Sequence, residues 1–369
     1  MHQRRISSYQ STKKYRTLPR KNSLQPHLML KYFRWFTIVM ILVSATSCRK
    51  PSNSATAFYY WKTCFSLNNQ QADILKQTGN NTYIRFFDIS WNDKQQRAYP
   101  NAVVQFNEVP AGLNIIPVVY ITNKTFENIP DTAVATLAGH CNKLINDLAE
   151  GKKISYTKVQ VDCDWSLSTR IKYFSFLAAF KKLNQKQLEV TIRLHQVKFK
   201  DRTGVPPADR GVLMFYNMGK LNAGLHQPNS IFNEEDAAKY VDYLSTYALK
   251  LDIALPLFSW AIHIRDGRVI QVYGKIGRKQ LTDRARFEQI EGKANYRAKA
   301  SFFLEGIYIK QNDIFKLEET DSKTLNAAAK QLTHHLPKQK HTTIIYYELA
   351  NIDPEKFNAE TIGQVSARF

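Results

Sequence analysis

Two aspartates set two residues apart, Asp162 and Asp164, close the run VQVDCDWS at residues 159–166. Side chains alternate along a β-strand, so Gln160, Asp162 and Asp164 share one face. Carboxyl groups gathered on one face can divide acid–base work, one holding a proton while its neighbour stays ionised. Two further carboxylates end strand-like runs: Asp88 in TYIRFFDIS (82–90) and Glu348 in TTIIYYELA (342–350). By the same alternation Arg85 stands with Tyr83 and Phe87, and Arg193 with Glu189, Thr191 and His195. A buried charge needs a partner, so Asp162 is expected to pair with Arg193 or Arg85. Such a pair serves as scaffold as readily as it does chemistry. Asp164, nearer the strand end, is the better placed to meet a ligand.

Eight β-branched and aromatic runs carry these residues. Beside the three already quoted they are FYYWK (58–62), NIIPVVYIT (114–122), LEVTIRLH (188–195), GVLMFYN (211–217) and LDIALPLFSW (251–260), with the acidic run extending over 158–164. Helical periodicity separates several of them. Over 166–186 an apolar stripe runs through Ile171, Phe174 and Ala178, widened by Phe176, Leu177 and Phe180. Over 233–249 Asn233 is a natural N-cap, and Glu234, Glu235 and Asp236 suit the positive end of a helix dipole. Residues 131–149 and 321–336 are helical by pattern too.

Strands alternating with helices predict a (β/α)8 TIM barrel, whose active groups sit at the C-terminal strand ends. A doubly wound open sheet is the competing architecture, weakened by the lack of a Gly-rich phosphate loop after the first strand. The gap before the last strand holds RDGRVIQVYGKI, a hairpin with Asp266-Gly267 at its turn, and further strand-like runs. The expected organisation is a leader (1–48), a linker (49–56), the first part of the barrel (57–262), an α+β insertion (263–320), and the barrel's last helix and strand (321–369).

The formal charge of +21 is partly a property of the leader. Residues 1–34 carry nine cations and no acid, and without them the charge is +12. The remaining cations are interspersed with acids and form no basic cluster with aromatic interleaving, so no nucleic-acid partner is expected. After the basic stretch come WFTIVMILV and then SATSC, ending at Cys48. A basic region, a short apolar run and small residues describe a secretory signal. Leading into a cysteine, the segment resembles a bacterial lipoprotein signal, with Met29 a possible start and Ala45 a departure from the commoner leucine. The resemblance implies lipidation at Cys48 and an outer-membrane protein facing the periplasm. A plain transmembrane anchor is the alternative, although the apolar run is about half the ~20 residues a span needs. Cys64, Cys141 and Cys163 show no metal-ligand spacing. They read as small buried residues, with a single bridged pair left open, and no cofactor or metal is expected.

Three segments together resemble the chitinase-type glycoside hydrolases of family 18. VQVDCDWS resembles the fourth-strand motif D-x-x-D-x-D-x-E; LMFYNMG (213–219) the sixth-strand M-x-Y-D; LPLFSW (255–260) the seventh-strand G-x-P-x-Y-G. The likeness spans about residues 57–355, and an α+β insertion before the last strand fits it. By this resemblance Asp162 and Asp164 match the second and third acids, Trp165 the tryptophan, Met214 and Tyr216 the sixth-strand pair, and Pro256 the seventh-strand proline. The resemblance implies that Tyr216 and Asp164 hold a substrate's N-acetyl group. Val159 replaces the first acid, Asn217 the sixth-strand aspartate, Phe258 the tyrosine, and Ser166 the acid-donating glutamate. A serine hydroxyl is too weak an acid to protonate a glycosidic oxygen, and general-acid help is worth roughly a hundred- to ten-thousand-fold.

Three readings follow. The first is a barrel that binds carbohydrate without chitinase-type catalysis. Aromatic rings would serve it, with three or four of Tyr60, Trp61, Trp91, Tyr120, Trp165, Tyr216 and Trp260 facing the ligand and the rest packing. The second is an active glycosidase pairing Asp164 with Glu348 or Asp88; the bland role for Glu348 is a salt bridge to a rim cation. His195 and His263 are candidate assistants there, against an ordinary structural role. The third is a non-catalytic partner in an envelope assembly. A monomer is expected in each.

Overall fold

The computed structural model describes residues 54–109, 111–292 and 294–369. The leader, most of the linker and Cys48 lie outside the described residues. The elements run β1 (Ser54–Tyr60), α1 (Asn69–Thr78), β2 (Asn81–Asn92), β3 (Asn114–Ile121), α2 (Val134–Gly151), β4 (Lys158–Asp162), α3 (Arg170–Asn184), β5 (Gln187–Arg193), β6 (Arg210–Met214), α4 (Glu234–Val241), β7 (Leu251–Pro256), α5 (Ser322–His335), β8 (Thr342–Tyr347) and α6 (Ala359–Ser366). Neighbouring strands pair in parallel from β1 to β8, and β1 also pairs with β8, Ser54 opposite Thr342. The ring is closed. That geometry excludes the open-sheet alternative.

The expected linker ends earlier than predicted, because Ser54, Ala55 and Thr56 already belong to β1. They are held from the other end of the chain: the Ser54 hydroxyl donates to the Ser366 carbonyl, and Thr56 donates to the Ser366 hydroxyl. Among the described residues no helix separates β2 from β3; instead Arg97–Asn101 folds back antiparallel on the end of β2.

Strand alternation splits the core in two. One side chain of each pair, such as Val159, Val161, Ile192, Leu213 and Ile253, points outward and packs on helical residues including Tyr173, Phe176 and Phe180 of α3. The other points into the ring, where Ala57, Tyr59, Tyr83, Ile116, Val118, Val212, Met214 and Ile345 form a separate inner cluster. Charged residues seal the floor of that cluster. Glu189 accepts from the Tyr83 hydroxyl at 2.7 Å and pairs with Lys158 at 3.1 Å. Arg210 grips both oxygens of buried Asp252 at 2.8 and 2.6 Å.

The helices begin where capping chemistry allows. Asn68 and Gln71 form a reciprocal capping box at α1, and Gly79 ends it at φ 103°. Asn233 caps α4 as expected. The helix stops at Val241, well short of residue 249, and a 3-10 turn follows at Leu244–Thr246. Tyr243, Ser245, Thr246 and Tyr247 are weak helix formers, and the tighter turn buries Leu244 and Tyr247.

The insertion begins at Trp260, not at residue 263. β7 ends at Pro256, and Trp260–Arg265 pairs antiparallel with Ile314–Glu318 in a five-stranded sheet outside the ring. The run 251–260 is thus two elements that belong to different sheets. Asp266 and Gly267 both have positive φ, 49° and 68°, and form the two-residue hairpin turn predicted for them. A small core of its own, with Ile276, Leu281, Phe287, Tyr296 and Phe315, supports this sheet. No helix among the described residues is long and apolar enough to cross a membrane.

Candidate functional site

At the C-terminal mouth of the ring, register decides which charges meet. Gln160 of β4 lies beside Glu189 of β5 and Val161 beside Val190. Two residues further up, Asp162 therefore meets Thr191 and Asp164 meets Arg193. The Thr191 hydroxyl donates to Asp162 at 2.6 Å. Arg193 donates to both Asp164 oxygens, from Nε at 2.6 Å and Nη2 at 2.9 Å. The expected pairing of Asp162 with Arg193 or Arg85 is corrected: Arg193 serves Asp164, and Arg85 serves Asp88 at 3.3 Å.

Asp162 is left with a hydroxyl and no ion pair among the described residues. Burial pushes its carboxyl up to about 6, with the charges of Asp164 and Asp88 adding to the rise and Thr191 and Arg193 opposing it. The neighbouring Tyr120 hydroxyl is pushed up to about 12, first by burial and then by Asp162 and Asp164. Burial also raises Asp88, against the pull of Arg85. Three carboxylates thus crowd one side of the mouth.

Aromatic rings line the other side. Tyr216 stacks on Tyr347 with centroids 5.8 Å apart, and Phe258 stands edge-on to both. Trp61 meets Tyr59 and Tyr347 edge-on, under the Arg85 guanidinium at 5.8 Å. Tyr216 keeps its hydroxyl inside, 3.0 Å from the Met214 sulfur, so Met214 is an inward core residue beneath the mouth. Tyr347 and Tyr59 were not singled out in the sequence. The alternation that puts Thr343 and Ile345 inward was the available signal for Tyr347.

Next to this wall lies a cavity of about 600 Å³, enclosed by the ends of β7 and β8, the loop after β6 and the insertion. Asn217, Phe258, Trp260, Tyr347 and Glu348 line it. Asn217 is exposed, with φ 54° and its backbone N–H donating to Ile231. Trp260 packs on Phe258 at 5.3 Å and donates its indole N–H to Glu318 at 2.9 Å. Glu318 also accepts from the Ser230 backbone N–H at 3.0 Å and from the Ser230 hydroxyl, and pairs with Lys316 at 2.9 Å. One buried carboxylate therefore joins the loop after β6 to the insertion.

Glu348 pairs with no rim cation among the described residues. Its carboxylate accepts the Trp61 backbone N–H at 3.0 Å and the Asn351 side-chain amide, tying the end of β8 to the end of β1. Burial raises its carboxyl, partly offset by those two bonds and by Lys62 and Arg85.

Trp165 stands apart from the mouth. It is buried in the outer layer, stacked on Tyr173 at 5.2 Å, with its indole N–H donating to the Thr203 carbonyl. It lies past the end of β4, in the outer core that also buries Cys163. Ser166 sits in the loop after β4, sharing hydrogen bonds with Ser168 and Thr169. His195 lies in the short helix Leu194–Lys198 rather than on β5, and burial lowers its proton affinity. His263 is buried in the insertion, 2.8 Å from Asp313 and stacked on Phe315. Trp91 and Tyr60 are buried in the outer core. Cys64, Cys141 and Cys163 are all free; Cys141 and Cys163 are buried as expected, whereas Cys64 is exposed, and no group of three or more metal-ligating side chains occurs among the described residues.

Solved structures with similar backbones include the spore cortex-lytic enzyme SleL of Bacillus cereus, at TM-score 0.51 and 13% identity over 87% of this chain and 75% of that one. A Bacillus thuringiensis chitinase matches at TM-score 0.50 and 11% identity, over 85% of this chain and 69% of that chain. A Rhizomucor miehei chitinase matches at TM-score 0.50 and 9% identity, over 85% of this chain and all of the other. The likeness is one of fold, a closed parallel eight-stranded barrel ringed by helices. No protein-family model matches the sequence, and no curated protein matches it.

Proposed function

We propose that this protein binds a carbohydrate at the mouth of its barrel and does not cleave it by the chitinase route. Half-buried Trp61, Phe258 and Tyr347, backed by buried Tyr216, offer ring surface to the apolar C–H faces of a sugar. Asp162, Asp164 and Arg193 supply the polar groups that orient it. The observation that carries the reading is the engagement of the acids. Asp164 is bound by Arg193, and Ser166 stands in the position where the resemblance calls for a proton donor. Of the two second acids of the alternative hydrolase reading, Glu348 has its oxygens taken up by Trp61 and Asn351, and Asp88 is paired with Arg85 at 3.3 Å. Binding is therefore the better supported of the two.

The test incubates the full-length chain with chitooligosaccharides, peptidoglycan fragments and plant-type oligosaccharides, scoring binding by calorimetry and cleavage by chromatography. Saturable binding without products is expected. Products whose release Asp164→Ala or Glu348→Ala abolishes would establish a hydrolase instead. A chain that ignores every glycan would leave the envelope-assembly reading. The proposal includes a lipid anchor at Cys48 in the cell envelope, supported by the basic stretch, the apolar run and SATSC. Incorporation of labelled fatty acid, lost in Cys48→Ala, is the expected result.

A further inference from the structure

We infer that the cavity beside the aromatic wall takes an anionic substituent of the bound sugar, such as a carboxylate. This rests on the carbohydrate reading and narrows its ligand class. Two lysines line the cavity without an ion pair among the described residues: Lys62 from the end of β1 and Lys275 from the insertion. Lys62 donates to the Ala350 carbonyl at 3.1 Å, a neutral acceptor. Lys275 makes no side-chain hydrogen bond or ion pair among the described residues. The third lysine there is already neutralised, since Lys356 pairs with Glu319 at 2.7 Å and with Asp353 at 3.8 Å.

The acids offset these cations only in part. Asp353 is the partner of Lys356, and Glu348 is turned into the Trp61 and Asn351 bonds. Glu348 feels the charge of Lys62, so the surplus cation is Lys275. An anion entering the cavity therefore meets a positive local field whose low-dielectric walls sharpen it. Those walls are Phe258, Trp260 and Tyr347, and the volume of about 600 Å³ lies within the ~300–1,000 Å³ of small-molecule sites. Rings for a pyranose face and ammonium groups for its substituent are adjacent, because Tyr347 belongs both to the cavity and to the stack with Tyr216. Lysines act as point charges, so the geometry specifies an anionic group and leaves carboxylate and sulfate to be separated by measurement.

The test measures the full-length chain against an oligogalacturonate, a sulfated oligosaccharide and neutral chitotetraose. The expected result is tighter binding of an acidic oligomer than of chitotetraose, with the advantage shrinking as salt is raised. Lys275→Glu should lower the acidic-to-neutral affinity ratio about tenfold and Lys62→Ala about threefold, as for partly screened surface charges. Both side chains are exposed, so loss of folding does not confound the readout. Preference for the oligogalacturonate over the sulfated chain assigns a carboxylate, and the reverse assigns a sulfate. Equal affinity for acidic and neutral oligomers, unaltered by Lys275→Glu, overturns this inference while leaving carbohydrate binding intact. Failure of all three ligands and of the wider glycan panel overturns both.

Discussion

Arg193 closes on Asp164 with two hydrogen bonds across neighbouring strands, and this leaves Asp162 on the same face without a cation. The carboxylate nearer to solvent is the neutralised one, and burial holds the deeper one above the ordinary carboxylate range.

That arrangement predicts how Asp162 responds to its neighbour. The Arg193 charge holds the Asp162 carboxyl down, against burial and the repulsion of Asp164. Arg193→Leu should therefore move the Asp162 midpoint above its present value of about 6. Carbon-detected NMR titration of the side-chain carboxyls reads the shift directly; a midpoint that stays or falls would show that the guanidinium is electrostatically irrelevant there.

Stability should follow the same group. The folded chain holds the Asp162 proton up to about pH 6, whereas the unfolded chain releases it near the ordinary value of 3.8. Across that window the folded state binds more protons, so stability falls as pH rises through it. Asp162→Asn keeps an oxygen for Thr191 and lacks the titration. Relative to the native chain, it should gain about 2 kcal/mol between about pH 4 and about pH 6, then hold constant. Denaturant melts of both proteins at several pH values provide the measurement, and parallel curves would contradict it.

At the floor of the ring, Asp252 is buried and accepts from Arg210 and from the Thr343 backbone N–H. Arg210→Ala strands that charge and should cost about 3–5 kcal/mol in urea denaturation. Arg210→Met combined with Asp252→Asn removes the charge together with its partner, and should cost clearly less than Arg210→Ala alone.

The aromatic residues should separate by layer. Trp165→Ala empties a buried site against Tyr173 and should lower stability by about 3–5 kcal/mol, read by chemical denaturation. Tyr347→Ala opens the mouth itself, where the expected loss is about tenfold in glycan affinity, from stacking worth about 1 kcal/mol or a little more. Similar glycan affinities for the two variants, measured by calorimetry on folded protein, would contradict the division.

Much of the barrel was legible because its strands are β-branched runs and its helices carry ordinary caps, as at Asn233. The acidic pair was legible too, since alternation alone puts Asp162 and Asp164 on one face. The same alternation carried the signal that Trp165 points away, and the motif likeness outweighed it. Partner choice was not legible. It depends on the stagger of β4 against β5, and a single chain records the order of residues along each strand but not their offset from the neighbour. The origin of the insertion was hidden for a related reason. Apart from Asp252 and Ser259, residues 251–260 are apolar, and only pairing with Ile314–Glu318 shows that the last of them has left the ring.

The Glu318 carboxylate makes the rim a two-piece latch. Exchanging the 260–319 segment for a foreign one would strip the acceptor from the Ser230 amide, and exchanging the loop around Ser230 would strip donors from a carboxylate already out of water. Either transplant alone creates an orphan. In recombination, natural or in the laboratory, these two stretches, far apart in the chain, are heritable only as a set.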